Sequence, residues 1–108
     1  MKYINNEYFY TVKAFIFNDN KSVKNMLESE DFKRFLENIG CKVKIQRNNG
    51  EKEYVFNRVC VTHEFFSEKI EENLIIHIGE VLVYSFHNER LTKYPIKKFR
   101  EKFWDIKN

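Results

Sequence analysis

Residues 41–56 read CKVKIQRNNGEKEYVF, and this stretch decides more of the fold than any other part of the chain. Its Asn49-Gly50 dipeptide is the strongest short-range signal for a two-residue β-hairpin turn. A turn there pairs Ile45 with Tyr54 and Val43 with Phe56, and every second residue then shares a face. One face of the pair becomes apolar and consists of Cys41, Val43, Ile45, Tyr54, Phe56 and Cys60. We therefore predict a hairpin of strands 41–47 and 52–62 that buries this face.

The segment before the hairpin, residues 22–39, has helical spacing but two apolar sides. Val23, Met26 and Leu27 share one side, and a second set lies about 180° around the same cylinder. One straight helix cannot bury both sides against one sheet. We therefore predict a break at Ser29, which would cap a second helix whose apolar side carries Phe32, Phe35, Leu36 and Ile39. Gly40 is expected to end that helix in the left-handed conformation.

Residues 8–17, YFYTVKAFIF, predict a strand with two mainly apolar faces. Such a strand is either central and covered on both sides, or it meets another protein. Farther along, residues 74–78 and 81–86 predict strands joined at Gly79-Glu80, and residues 91–94 predict another. Residues 63–73 favour a loop with a helical turn. Pro95 is expected to open a last helix, whose buried stripe would be Ile96, Phe99, Phe103 and Ile106.

These elements predict an α+β fold in a single domain over residues 1–108. We expect a curved antiparallel sheet of about five strands, packed by a broken helical segment (22–39) and a short C-terminal helix. The 108 residues suffice for one hydrophobic core. The chain has 19 Lys and Arg against 16 Asp and Glu, a mild surplus that is typical neither of a dedicated nucleic-acid binder nor of a nucleic-acid mimic.

Residues 1–7 contain no apolar segment of the kind found in export signals, and no apolar run reaches membrane length. We expect a cytoplasmic protein with no membrane partner. Cys41 and Cys60 would then be reduced and buried thiols.

The sequence does not present a recognisable catalytic or metal-binding pattern. His63, His77 and His87 are not spaced as metal ligands, and neither cysteine belongs to a Cys-x-x-Cys pair. Cys60 and His63 are three residues apart and on opposite strand faces, which favours a structural thiol over a nucleophile and its base. We therefore expect a non-enzyme without catalytic residues, metal or cofactor. An enzyme would need a pocket that brings together histidine and acidic groups distant in sequence.

The C-terminal residues 93–104, KYPIKKFREKFW, interleave basic and aromatic side chains. Such a pattern can hold phosphates while an aromatic ring stacks on a base. The plainer interpretation places Phe99 and Phe103 in the core and the lysines on the solvent-exposed face, and we favour it. Trp104 falls outside the apolar stripe, which predicts exposure. The residues that we predict to bind a partner are Tyr8, Tyr10, Lys93, Tyr94, Lys97, Arg100 and Trp104.

Two stretches resemble a family of small phage and prophage proteins that share a Gly-Asp-Tyr/Trp-Ile motif. Family members open with a Val-Glu-Ala-x-x-Phe strand and an Asn/Asp turn, which is similar to VKAFIFNDN at residues 12–20. They close with Pro-Gly-Asp-Tyr-Ile-Val, then Tyr-Pro, then a short helix with spaced aromatics. Here residues 78–83 read IGEVLV, Tyr94-Pro95 follows, and Phe99 and Phe103 come next. The resemblance implies a phage origin and a shared fold, and it brings no catalytic residues.

From this resemblance and the missing catalytic pattern we expect a phage accessory protein that binds and inhibits a host protein or ribonucleoprotein complex. A bacterial defence system, such as CRISPR–Cas, is the target class that we expect, so the protein would be anti-CRISPR-like or another anti-defence inhibitor. Two alternatives stay open: a sponge for a nucleotide second messenger, and a nucleic-acid-binding protein. A homodimer also stays open.

Overall fold

The computed structural model describes residues 1–62 and 68–106, with side chains described for residues 1–59 and 71–106. The chain divides into two compact units, Met1–Asn20 with Ile78–Asn108, and Lys21–His77. We call them the terminal unit and the central unit. The elements in chain order are β1 (Lys2–Asn5), β2 (Thr11–Phe17), α1 (Asn20–Glu28), α2 (Glu30–Ile39), β3 (Cys41–Asn48), β4 (Glu51–Thr62), β5 (Glu68–Ile76), β6 (Glu80–Ser85), β7 (Arg90–Pro95), α3 (Ile96–Lys102) and β8 (Phe103–Asp105).

The terminal unit contains a five-stranded antiparallel sheet in the order β7-β6-β2-β1-β8. Strand β2 is the middle strand, so the prediction of a central strand with two apolar faces is confirmed: Val12, Ala14, Phe15 and Phe17 are all buried. Gly79 makes the turn into β6 at a φ of 96°, and its N–H donates to the Phe17 carbonyl oxygen at 2.7 Å. Glycine adopts this backbone conformation without the steric cost that a side chain would bring.

One face of this sheet packs against α3 through a buried cluster of Tyr3, Val12, Ala14, Val81, Val83, Phe99 and Phe103. The Phe99 and Phe103 rings stack with centroids 4.9 Å apart, and the Tyr3 ring meets Phe99 edge-on at 4.8 Å. Aromatic pairs in these geometries stabilise a core by about 0.5–1.5 kcal/mol beyond the area they bury. A helix of seven residues is thereby held firmly on the sheet.

The central unit contains α1, α2 and a three-stranded antiparallel sheet in the order β3-β4-β5. The predicted hairpin is confirmed with its register: Ile45 pairs with Tyr54 and Val43 with Phe56. Asn49 and Gly50 both have positive φ, as a type I′ turn requires. On the buried face, the Phe32 ring of α2 meets Phe56 edge-on at 6.1 Å.

The helix break is also confirmed. Ser29 separates α1 from α2, and its hydroxyl accepts a hydrogen bond from the Phe32 N–H at 3.2 Å. Glu30 and Asp31 lie in the first turn of α2, where carboxylates favour the helix dipole. Gly40 ends the helix in the left-handed region with φ of 66°. Both helices are short because the capping residues and the opposed apolar sides require two axes.

The α+β class, with a broken helical segment and a short C-terminal helix, is confirmed. Several boundaries were predicted wrongly. The strand over residues 8–17 begins at Thr11, because residues 6–9 form a turn between β1 and β2. The last helix ends at Lys102: Phe103 has an extended backbone and starts β8, so Phe103 and Ile106 do not extend a helical stripe.

The eight strands form two sheets, where about five strands in one sheet were predicted. The strands on either side of Gly79 do not pair with each other. Strand β5 pairs with β4, whereas β6 pairs with β2 and β7. Strand β5 also begins at Glu68, inside the segment that favoured a loop, and residues 63–67 lie outside the described part. In the described part of the chain, no helix is long and apolar enough to cross a membrane.

Candidate functional site

The turn between β1 and β2 holds two exposed aromatic side chains in a fixed backbone. The Asn5 side-chain oxygen accepts hydrogen bonds from the N–H groups of Glu7 at 3.0 Å and Tyr8 at 2.8 Å. The Phe9 N–H donates to the Asn5 carbonyl oxygen at 2.9 Å. This pattern, in which an Asn side chain binds the backbone just after it, is a common means of fixing a turn. Tyr8 is 73% exposed and Phe9 64% exposed.

Phe9 occupies the left-handed region of the backbone, with φ of 59°. A side chain there lies too close to the backbone, at a cost of about 1–2 kcal/mol, and glycine or asparagine is the usual residue. Burial does not offset this cost, because most of the Phe9 ring faces water. A strained residue with an exposed aromatic side chain is an outlier that points toward function.

The same turn is fastened to the end of α3. The Asn6 N–H donates to the Lys102 carbonyl oxygen at 2.9 Å, and the Asn6 side-chain amide donates to the Glu101 carbonyl oxygen at 2.7 Å. Carbonyls in the last turn of a helix have no partner within the helix. Asn6 therefore caps α3 and anchors the turn with the same two bonds.

Two further exposed aromatic residues lie on a row that crosses the sheet beside this turn. Trp104 of β8 pairs with Ile4, which pairs with Thr11 on its other side. The Thr11 carbonyl oxygen accepts the Phe86 N–H at 3.4 Å. At about 4.8 Å between strands, the row spans about 14 Å. Trp104 is 56% exposed and Phe86 44%.

We call Tyr8, Phe9, Phe86 and Trp104 the aromatic rim. Among the described side chains, these four are all the aromatic ones that are largely exposed. They come from the β1–β2 turn, the end of β6 and the edge strand β8, which meet at one end of the five-stranded sheet. Scattered exposed apolar residues are normal on a protein surface, whereas several exposed aromatic residues at one end of a sheet are typical of a binding surface.

Tyr10, which follows the turn, packs against the core cluster of the terminal unit. Its ring lies 6.1 Å from the Phe103 ring and 4.5 Å from the His87 ring. The Asn5 side-chain amide reaches the Tyr10 hydroxyl at 3.5 Å. Burial, and after it the nearby Tyr94, raises the pKa of the Tyr10 hydroxyl, so the group stays neutral. Tyr10 therefore belongs to the packed side of this turn and not to the rim.

The predicted partner-binding residues all lie in the terminal unit, but their side chains differ in exposure and in the contacts they already make. Tyr8 and Trp104 belong to the rim, and the predicted exposure of Trp104 is confirmed. Tyr10 and Tyr94 are half-buried and pack against the core cluster. Lys93 of β7 forms an ion pair with Glu80 at 3.2 Å. Lys97 and Arg100 are exposed on α3.

Phe9 and Phe86 were missed by sequence reasoning. The alternation of residues 8–17 placed Phe9 within a strand, although a turn over residues 6–9 was available from Asn5-Asn6. Phe86 reads as the last residue of a core strand. The predicted strand already ended at Phe86, so no local signal marked its side chain as exposed.

A second polar cluster lies on the open face of the central sheet. Glu53 of β4 is buried, and its carboxylate accepts a hydrogen bond from the Gln46 amide at 3.0 Å and contacts the His77 Nε2 at 2.7 Å. The Gln46 hydrogen bond and then the His77 contact lower the pKa of the Glu53 carboxyl. The cluster ties β3, β4 and the residue after β5 together. It was not predicted, because Glu53 and His77 are 24 residues apart.

The described side chains do not include any group of three or more His, Cys, Asp or Glu that could hold a metal ion. Cys41 is buried, as predicted. The predicted burial of Cys60, and any relation of its thiol to His63, lies outside the described side chains. Comparison with protein-family models, with curated proteins and with solved structures finds no match for this chain.

Proposed function

We propose that this protein is a non-catalytic binding protein that docks onto a partner protein through the aromatic rim. It acts by covering the surface to which it binds. Tyr and Trp are the residues that most often dominate the energy of a protein interface, surrounded by contacts that only exclude water. A standard interface buries about 800 Å² on each partner, so the rim would form the centre of a larger contact.

The observation that carries the proposal is the backbone of Phe9. A residue with φ of 59° and a ring that is 64% exposed destabilises the folded protein without a matching gain in burial. The hydrogen bonds that the Asn5 side chain accepts and the Asn6 side chain donates hold this costly conformation in place. Docking of the Phe9 ring into a partner would supply the missing burial.

A protein partner is favoured over a nucleic acid by the state of the basic and aromatic residues. Lys93 is paired with Glu80, and Tyr10 and Tyr94 pack against the core, so these residues are not well placed to hold a phosphate or stack on a base. The net charge of +3 is mild. The exposed rim is instead apolar, with rings carried by three different segments.

The narrower hypothesis is a phage accessory protein that inhibits a bacterial defence system in the host cytoplasm. Its support is the resemblance of residues 12–20, 78–83 and 94–103 to small phage and prophage proteins. An inhibitor of this kind needs only a rigid surface that blocks a site on its target.

The test is capture from a bacterial lysate on the immobilised protein, with bound material identified by mass spectrometry. Trp104→Ser and Phe9→Gly remove one ring each from the rim. Val59→Thr is the matched control, because Val59 is 52% exposed on β4 and lies in the other unit. We expect the same protein to be captured by the wild type and by the control, and to be lost with both rim variants.

Two other results would replace the proposal. Co-purification of a nucleotide that raises the melting temperature would favour the second-messenger sponge. Capture of DNA or RNA with steeply salt-dependent affinity would favour a nucleic-acid-binding protein.

A further inference from the structure

Strand β3 forms an edge of the central sheet. It is eight residues long and pairs with β4, and no other described strand pairs with it. An edge strand carries a row of backbone N–H and C=O groups that can pair with another chain. Proteins blunt such edges with prolines, with very short strands or with charged side chains, especially lysine. Strand β3 has no proline and is not short, so its protection consists of Lys42, Lys44 and Arg47.

The hairpin turn fixes which residues of β3 present their backbone groups outward. In a two-residue turn, the Asn48 carbonyl bonds to the Glu51 N–H, so the backbone groups of Asn48 point toward β4. Alternation then points those of Gln46, Lys44 and Lys42 toward β4 as well. The backbone groups of Val43 and Ile45 face the open edge.

The side chains of β3 divide by face in the same alternation. Lys42 and Lys44 are exposed on the open face of the sheet. Val43 is half-buried and Ile45 is 48% exposed on the other face, which carries Tyr54 and Phe56. The strand contains three basic residues and no acidic one. An added strand would therefore meet lysines on one face and apolar residues on the other.

We propose that β3 is an acceptor for an extended acidic segment of a partner protein, in which acidic and apolar residues alternate. The segment adds as a strand beside β3. Its backbone bonds to Val43 and Ile45, its carboxylates lie opposite Lys42 and Lys44, and its apolar side chains continue the face of Ile45. Strand addition of this kind takes affinity from the backbone and specificity from alternate side chains.

The position of the lysines adds to this specificity. The backbone groups of Lys42 and Lys44 point toward β4, so these residues would form non-hydrogen-bonded pairs with the added strand, in which side chains lie closer together. Opposite charges on adjacent strands attract. The same lysines repel a second copy of β3, because like charges directly opposite each other are destabilising. One pair of side chains thus selects an acidic strand and rejects self-pairing.

The test uses a synthetic peptide, acetyl-Glu-Val-Glu-Ile-Glu-Val-amide, with binding followed by amide NMR shifts of the labelled protein. A scrambled peptide of the same composition and a peptide with lysine in place of glutamate are the controls. We expect the alternating acidic peptide to shift residues 41–48 and the scrambled peptide to bind more weakly.

Three variants separate the contributions. The double variant Lys42→Glu/Lys44→Glu should bind the acidic peptide roughly two- to tenfold more weakly, because two cross-strand charge pairs are lost. This variant should bind the lysine peptide in preference to the acidic one. Ile45→Pro removes an N–H at the open edge and should abolish binding, with circular dichroism checking that the hairpin is intact. Phe9→Gly, on the aromatic rim, should leave peptide binding unchanged, which separates this inference from the proposed function.

The proposal is overturned by equal binding of the scrambled peptide, by shifts that leave residues 41–48 unaffected, or by an unchanged affinity in the double variant. Sedimentation is the remaining measurement. If the protein self-associates and Ile45→Pro abolishes the self-association, the edge belongs to a second copy and an acidic partner segment is contradicted.

Discussion

The Asn5 side-chain oxygen accepts the Tyr8 N–H at 2.8 Å, and through this bond a buried polar residue sets the position of an exposed ring. Asn5 ends β1, and its oxygen also accepts the Glu7 N–H. The turn is therefore ordered from within the sheet. A ring that is held in advance loses less conformational freedom when a partner binds.

Asn5→Ala should destabilise the protein by about 1–3 kcal/mol, because two backbone N–H groups lose their acceptor. Asn5→Asp keeps the acceptor oxygen and should lose less stability than Asn5→Ala. Urea unfolding of both variants measures the difference. Equal losses in the two variants would show that the accepted hydrogen bonds do not hold the turn.

Phe9→Gly should stabilise the protein by about 1 kcal/mol, since glycine adopts positive φ without the steric cost that phenylalanine bears. Little burial is lost because the ring is largely exposed. Denaturant unfolding measures the change. A loss of stability in this variant would mean that the ring contributes more to the fold than its exposure indicates.

Tyr8→Gly is the matched control, one residue earlier in the same turn. Tyr8, unlike Phe9, does not have a positive φ. Glycine at this position should therefore destabilise by about 0.5–1 kcal/mol through the greater freedom of the unfolded chain. A gain in the free energy of unfolding for Phe9→Gly and a loss for Tyr8→Gly would together indicate backbone strain at Phe9.

Ser29→Ala should destabilise the protein by about 1 kcal/mol, because the Phe32 N–H loses the hydroxyl that caps α2. Ser29→Thr keeps a hydroxyl at the cap and should retain most of the stability. Thermal unfolding of the two variants provides the comparison. Equal decreases in the melting temperatures of Ser29→Ala and Ser29→Thr would show that the hydroxyl cap does not separate α1 from α2.

Glu53→Gln should show a stability deficit that depends on pH. The pKa of Glu53 in the folded protein is lowered from its ordinary value of 4.5, so the ionised carboxylate adds stability above that value. The contribution disappears as pH falls through the lowered pKa. The difference in melting temperature between wild type and Glu53→Gln should therefore be large at pH 7 and narrow below pH 4.5. Glu51→Gln, exposed on the same strand, is the control, and a deficit of constant size would contradict the assignment.

The features that sequence reasoning predicted correctly are local ones. The Asn49-Gly50 turn, the Ser29 cap and the Gly40 helix end each depend on a few neighbouring residues. Hydrophobic alternation then extends the turn into a hairpin with the right register. Their conformations are determined by short-range sterics and hydrogen bonds, which the sequence displays directly.

The features that it missed depend on distant partners. Strand β1 has four residues and β8 has three, too few to show a pattern. Strand β1 pairs with β2 nearby, but the partner of β8 is β1, which lies about 100 residues away along the chain. Phe103 has helical spacing from Phe99, and only its pairing with Asn5 makes it a strand residue. The conformation of Phe9 belongs to a local turn that Asn5-Asn6 signalled, whereas its place at the same sheet end as Trp104 and Phe86 depends on the pairing of β1 with β8 and of β2 with β6.

Photocross-linking tests the central claim, that the aromatic rim is a binding surface, most directly. Benzoylphenylalanine replaces Phe9 in one protein and Val59 in another, and each is irradiated in a bacterial lysate. The account predicts one discrete cross-linked protein from position 9 and none from position 59. Equal products from both positions, or a product from position 59 alone, would contradict it.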